Sequence, residues 1–144
     1  MAKAQITLPT AFIDSLDAAS ALLDAAADEV FNAGAGVVEP RLRTNLAGAI
    51  GQGATPSRST GQLLGALGTT AVRVNSRGEQ NVKVGFAENR RDGRSHALIA
   101  NVLEHGRSNQ PARPFLAPTR SQTKRSAVDA MKTVLKAKLD GIKP

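Results

Sequence analysis

From Phe12 onward, apolar residues recur at alternating spacings of four and three: Phe12, Leu16, Ala19, Leu23, Ala26 and Val30. That repeat lays one apolar stripe along a helix. Pro9-Thr10 suits its start, with Thr10 as the N-cap and Asp14 and Asp17 near the positive end of the helix dipole. The run Ala33-Gly34-Ala35-Gly36 weakens helix propensity, yet apolar spacing resumes through Val38, Leu42, Leu46 and Ile50. Pro40 either kinks a continuous helix or stands in the first turn of a second one. The pattern predicts a long, kinked or interrupted helical segment over about residues 10–51.

The period then changes. Residues 51–61, GQGATPSRSTG, form a loop by composition, and Ser59 or Thr60 is placed to cap a short helical turn carrying Leu63, Leu64 and Leu67. Apolar and polar residues alternate over 70–75 (TAVRVN) and 81–86 (NVKVGF). Val72 and Val74 share one side of the first strand, as do Val82, Val84 and Phe86 of the second. With SRGE as the turn, 70–86 reads as a β-hairpin. ENRRDGRS, 88–95, is a charged, exposed loop, and SHALIANVLEHG predicts a short helix over 95–105 stopped by Gly106. RSNQPARP is loop again and Phe115-Leu116-Ala117-Pro118 a short extended piece. The last helix covers about 118–140, starting at 118 or 121, with Val128, Met131, Leu135 and Leu139 on its inner face. Lys132, Lys136 and Lys138 lie near its negative end. No internal repeat or low-complexity tract interrupts this order, and 144 residues are expected to form one domain.

Composition narrows the classes. A hydrophobic fraction of 41% suits a folded chain. There is no apolar run of the length that a membrane span needs, and MAKAQITLPT lacks the layout of a secretory signal. Cysteine is absent, which excludes disulfides and thiolate metal sites and fits the cytoplasm. Charge is unevenly spread. Residues 1–40 hold Lys3 against Asp14, Asp17, Asp24, Asp28, Glu29 and Glu39, a net of −5. Residues 41–144 hold the other eighteen basic residues and six acids, a net of +12. Three arrangements use such a split: attraction within a subunit, acidic against basic surfaces of successive copies, or a basic surface on nucleic acid.

Chemistry is sparse. His96 and His105 stand nine apart in one short helix, about 180° apart around its axis, so they do not share a metal there. No GxSxG surrounds a serine. GAIGQGATPSRST lacks the GK[ST] ending of a phosphate loop, and Pro56 stands where a GxGxxG motif needs glycine. Neither an enzyme nor a cofactor or metal is therefore expected. Basic residues are more suggestive: Arg90, Arg91 and Arg94 cluster in one loop, and 107–138 carry eight basic residues against Asp129 alone. Such patches attract phosphate. Without tyrosine or tryptophan, however, stacking platforms for single strands are few. A small, basic, non-sequence-specific DNA-binding protein is the alternative function.

Three segments, taken in order, resemble the tailed-bacteriophage family of head–tail joining proteins, which includes neck, tail-completion, tail-terminator-like and minor tail proteins. Thr60-Gly61-Gln62-Leu63, preceded by Ala54-Thr55-Pro56, is similar to the family's proline, polar spacer and TGxL step. Ala100-Asn101-Val102-Leu103-Glu104-His105-Gly106 resembles its alanine-led helix ending in glutamate, an aromatic and glycine. Ala112-Arg113-Pro114-Phe115-Leu116-Ala117-Pro118 resembles the peptide that precedes its C-terminal helix. The likeness covers about residues 10–140. His105 replaces a bulky aromatic, Arg107 follows where a small hydroxyl residue is usual, and Pro40 is unusual in the long helix.

The resemblance implies an α+β fold, with the long kinked N-terminal helix and the C-terminal helix packed on a small antiparallel sheet. It implies no catalysis and no cofactor. It implies a virion structural protein of the neck or tail end, assembled in the host cytoplasm as a ring of identical subunits, six in tail-terminating members. Such a ring caps the tail tube, meets a neighbouring connector or stopper protein and the tail-tube protein, and passes DNA non-specifically through its lumen. Thr60, Gly61, Leu63, Glu104, Gly106, Arg113, Pro114, Phe115, Leu116 and Pro118 are its motif and assembly candidates. Arg90, Arg91 and Arg94 are candidates for contact with a partner or DNA. Within the last motif, Pro114 holds Arg113 extended, so Phe115 and Leu116 project to opposite sides of a short strand. Two readings stand: one of the pair faces a neighbouring subunit, or both are core and the peptide is only a strand-to-helix joint.

Overall fold

The computed structural model describes residue 7 and residues 9–51, 61–86 and 93–141. Eight elements follow in order: α1 (Thr10–Ala49), α2 (Gln62–Gly65), β1 (Leu67–Thr69), β2 (Arg73–Val74), β3 (Gln80–Asn81), β4 (Val84–Phe86), α3 (His96–His105) and α4 (Leu116–Asp140). The class is α+β, with a long N-terminal helix and a C-terminal helix around a small antiparallel sheet.

α1 is one helix of 40 residues, about 60 Å long at 1.5 Å per residue. Of the two readings of Pro40, the structure takes the continuous one. The missing proline N–H removes one backbone bond, but buried Ala35 and Leu42 hold the helix on either side of it. Thr10 is the first helical residue rather than the cap. Pro9 takes the N-cap position, with its carbonyl accepting from Phe12 N–H at 3.0 Å, and no acid lies in the first turn.

α4 runs antiparallel to α1. Asn45 meets Thr119 and Gln122, Gly34 faces Met131, and Lys138 reaches Glu29 at 2.7 Å. The seam is made of small residues. A Cβ on Gly34 would lie 2.7 Å from Met131 Sδ, so glycine here sets a close helix approach rather than a break. The inner face of α4 also differs from the expected one. Thr119, Thr123 and Ala127 are buried, whereas Val128 and Leu139 are exposed. The two threonine hydroxyls donate to carbonyls of Phe115 and Thr119, at 2.6 and 2.8 Å, so each buried polar atom is satisfied within the helix.

The hairpin is longer than the alternation implied. β1 pairs β4 with Leu67 opposite Phe86, and β2 pairs β3 with Arg73 opposite Asn81. Leu67 thus belongs to a strand, not to the helical turn of Leu63 and Leu64. Four steps separate Thr69 from Arg73, but only three separate Asn81 from Val84. The extra residue acts as a bulge and flips the outer arm, which leaves Val74 exposed. At the tip, Asn75 Oδ1 accepts N–H bonds from Arg77 and Glu79, both at 2.9 Å, and Gly78 takes a φ of 79°.

Leu42, Leu46 and Ala49 of α1, Leu63, Leu67, Ala100, Leu103 and Phe115 form the main core. It sits at the C-terminal end of α1. Among the described residues no helix is long and apolar enough to cross a membrane.

Candidate assembly surfaces

Two of the three motif segments converge on a buried carboxylate. Glu104 occupies the last turn of α3, and its side chain accepts three backbone N–H bonds from the start of α4. Phe115 and Leu116 donate to Oε2 at 2.7 and 2.8 Å, and Ala117 donates to Oε1 at 3.0 Å. The first turn of α4 contains no acid of its own, and its N-cap position holds Phe115. Glu104 therefore supplies both the missing acceptors and the negative charge that a helix N-terminus favours. Burial pushes this carboxyl up, but the three N–H bonds and nearby His105 outweigh it and hold it below its ordinary value.

The intervening loop is tightly folded. Gly106 ends α3 with a φ of 74°, and a Cβ there would lie 2.6 Å from Ala112 N and 2.8 Å from Gln110 O. Only glycine fits. Arg107 and Gln110 exchange backbone bonds, and Arg113 N–H donates to Leu103 O at 2.7 Å. Phe115 is 0% exposed and meets Phe86 edge to face, with ring centroids 6.4 Å apart. Leu116 is 42% exposed. The two differ in burial, but the expected strand is absent: Leu116 is the first residue of α4, and Phe115 is the residue before it. The Glu104 bonds extend the helix back past Pro118, which sits in the first turn, where proline is tolerated.

The remaining candidates divide plainly. Gly61 caps α2 with a φ of 75°, and Leu63 lies in the core. Pro114 is exposed, while Arg113 and Pro118 are half-buried. These three line a shallow depression against Thr44, Asn45, Gly48 and Ala49 of α1. Arg94 is exposed just ahead of α3. Thr60, Arg90 and Arg91 lie outside the described residues. Most of the described motif residues therefore build the joint between α3, α4 and the core, with Leu116, Pro114 and Arg113 left at its surface.

Sequence reading passed over a second polar cluster. Arg43 donates to Glu39 Oε1 at 3.0 Å and to the carbonyls of Leu64 and Leu67 at 3.0 and 3.1 Å. Thr69 Oγ1 donates to Glu39 Oε2 at 2.6 Å. The Thr69 hydroxyl, and then Arg43, lower the Glu39 carboxyl from its ordinary range. The i, i+4 spacing of Glu39 and Arg43 was the available signal.

Two apolar surfaces have no partner among the described residues. One is an apolar groove lined by Val38, Leu42, Val84, Leu116 and Thr119, with Arg120, Thr123 and Lys124 completing it. The other is the first four or so turns of α1, where Phe12, Ile13, Leu16, Leu22 and Leu23 are exposed. His96 is buried and its Nδ1 has no hydrogen-bond partner among the described residues, while His105 is exposed at the far end of α3. Among the described residues no group of three His, Cys, Asp or Glu could hold a metal ion.

These features define an α+β protein with a two-helix spine, an exposed apolar face along the first turns of its long helix and an apolar groove beside Val38 and Leu42. No protein-family model, curated protein or solved structure matches the chain.

Proposed function

We propose that this chain is a non-enzymatic structural adaptor of the tailed-bacteriophage head–tail connector, acting as a ring of identical copies at the neck or tail end of the virion. The observation that carries the reading is the Glu104 joint. Two of the three segments that resemble the family meet there through three hydrogen bonds, and the third contributes Leu63 to the same core. The likeness thus falls on residues that depend on one another in space. Exposed apolar surface along the first turns of α1, with the apolar groove beside Val38, adds to it, because contiguous apolar patches on a small protein mark interaction surfaces.

A ring requires a heterologous contact, in which one surface of each copy meets a different surface of the next. The ring would cap the tail tube, dock a neighbouring connector or stopper protein, and pass DNA through its lumen. Electron microscopy of the purified protein, with native mass spectrometry, tests this directly: a closed ring with an axial hole is expected. A second reading draws on the exposed basic residues of α4, Arg120, Lys124, Arg125, Lys132 and Lys136. Tight DNA binding by a monomer or dimer, falling steeply with salt, would replace the adaptor by a small DNA-binding protein.

A further inference from the structure

The exposed part of α1 is shaped for a partner of definite chemistry. Glu29 lies opposite Lys138 near the end of α4, so about fifteen residues of α1, roughly 22 Å, project past that end. Every residue from Thr10 to Ala25 is exposed except half-buried Ala19. At about 100° per residue, Phe12, Leu16, Ala19 and Leu23 fall within about 60° of one another. Ala26 and Val30, which continue that stripe, lie beside α4 and are buried and half-buried. The projecting face is therefore the prolongation of a helix-packing face, and among the described residues nothing covers it beyond the end of α4.

Acids stand on the face turned away from the stripe, with Asp24 and Asp17 nearest to it. By the same rotation Asp24, Asp17, Asp28 and Asp14 occupy a band from about 120° to 200° relative to Phe12, next to Ile13 at about 100°. From Thr10 to Asp28 there are four acids and no basic residue, so two such projections repel each other by net charge, and nucleic acid is repelled as well. The groove formed by Val38, Leu42, Val84 and Leu116 has the complementary character, because Arg120 and Lys124 stand on its α4 side. Apolar floor meets apolar stripe, and the long basic side chains of the rim attract the acidic projection, whose Asp24 and Asp17 are the acids nearest the stripe.

We infer that the projecting N-terminal part of α1, through Phe12, Leu16 and Leu23 with Asp17 and Asp24 alongside, docks in the Val38–Val84–Leu116 groove of a second copy, against its Arg120 and Lys124. The inference rests on the ring reading in that it names the contact joining successive copies. The same contact repeated without closure would give a filament.

The test uses full-length chains. Phe12→Ser/Leu16→Ser removes the inserted side chains, and Arg120→Glu/Lys124→Glu reverses the rim. All four residues are exposed, so circular dichroism should show both variants folded. Each variant alone should associate at least about 100-fold more weakly than wild type. Mixed in equal amounts, they should form a one-to-one pair and nothing larger, because each supplies the half that the other lacks. If both variants assemble like wild type, the contact is wrong and the ring stands. If the rim variant assembles normally while the stripe variant does not, the projections pair with each other and the contact is wrong. Filaments abolished by either variant would keep the contact and overturn the ring. A wild type that stays monomeric up to about millimolar concentration, where Kd-limited association is already weak, overturns both.

Discussion

Replacing Glu104 measures how far the start of α4 depends on a side chain contributed by α3. In Glu104→Gln, one oxygen remains for the two N–H groups of Phe115 and Leu116, or for that of Ala117, but not for all three. Hydrogen bonds to a charged group contribute about 1.5–3 kcal/mol each, yet a simple sum overstates the loss. Leu116 and Ala117 are exposed and their N–H groups can turn to water, whereas Phe115 is fully buried. One stranded N–H costs about 1–3 kcal/mol, and a lost cap about 1 kcal/mol more. The expected deficit is about 3 kcal/mol, equivalent to a fall in Tm of about 10 °C for a chain of this size. The pH dependence has a definite sign. The folded-state pKa lies below the ordinary 4.5, so this stabilisation is complete above that value and is lost as pH falls through the lowered one. Urea titrations of wild type and Glu104→Gln should differ most at pH 7 and converge in acid. A deficit under about 0.5 kcal/mol at pH 7, or one that stays constant down to about pH 3, would refute the capping role, given typical uncertainties in such extrapolations.

Three further outcomes follow from the packing. Gly106→Ala should cost about 3 kcal/mol, since positive φ and backbone contacts at 2.6 and 2.8 Å leave no room; Gly34→Ala should stay within about 1 kcal/mol of wild type, because flexible Met131 can shift and alanine favours the helix, and parallel urea midpoints check both. Phe115→Ala should lose about 3–5 kcal/mol, while Leu116→Ala should lose less than about 1 kcal/mol, a contrast that thermal melts resolve. Arg43→Ala should lose about 1–2 kcal/mol, with hydrogen exchange rising first at Gly65 and Gly68, the amides that follow the Leu64 and Leu67 carbonyls held by Arg43.

Much of the fold was legible because its long helices and hairpin announce themselves by period. What escaped was non-local. The alternation that marked Val72 and Val74 is shifted by one extra residue between Thr69 and Arg73, so the strand begins earlier, at Leu67, and its outer valine faces solvent. The buried face of α4 is written in threonine and alanine, which hydropathy does not distinguish from surface. Leu116 looked extended because the group that starts its helix lies twelve residues earlier, in another element. The motif segments were visible as motifs, but no spacing rule says that Glu104 and Phe115 touch. The stripe from Phe12 to Val30 reads the same whether its own chain covers it or not, and only the end point of α4 shows where cover stops.

Because α1 passes through Pro40 without interruption, it serves as ruler and compass at once. Each residue inserted near Asp24 would advance the free tip by about 1.5 Å and swing its bearing by about 100° relative to the body. Seven inserted residues would restore the bearing to within about 20° and lengthen the reach by about 10 Å. For a tip that docks as inferred, a change in the length of this rod keeps the contact only when it comes in near-whole numbers of turns.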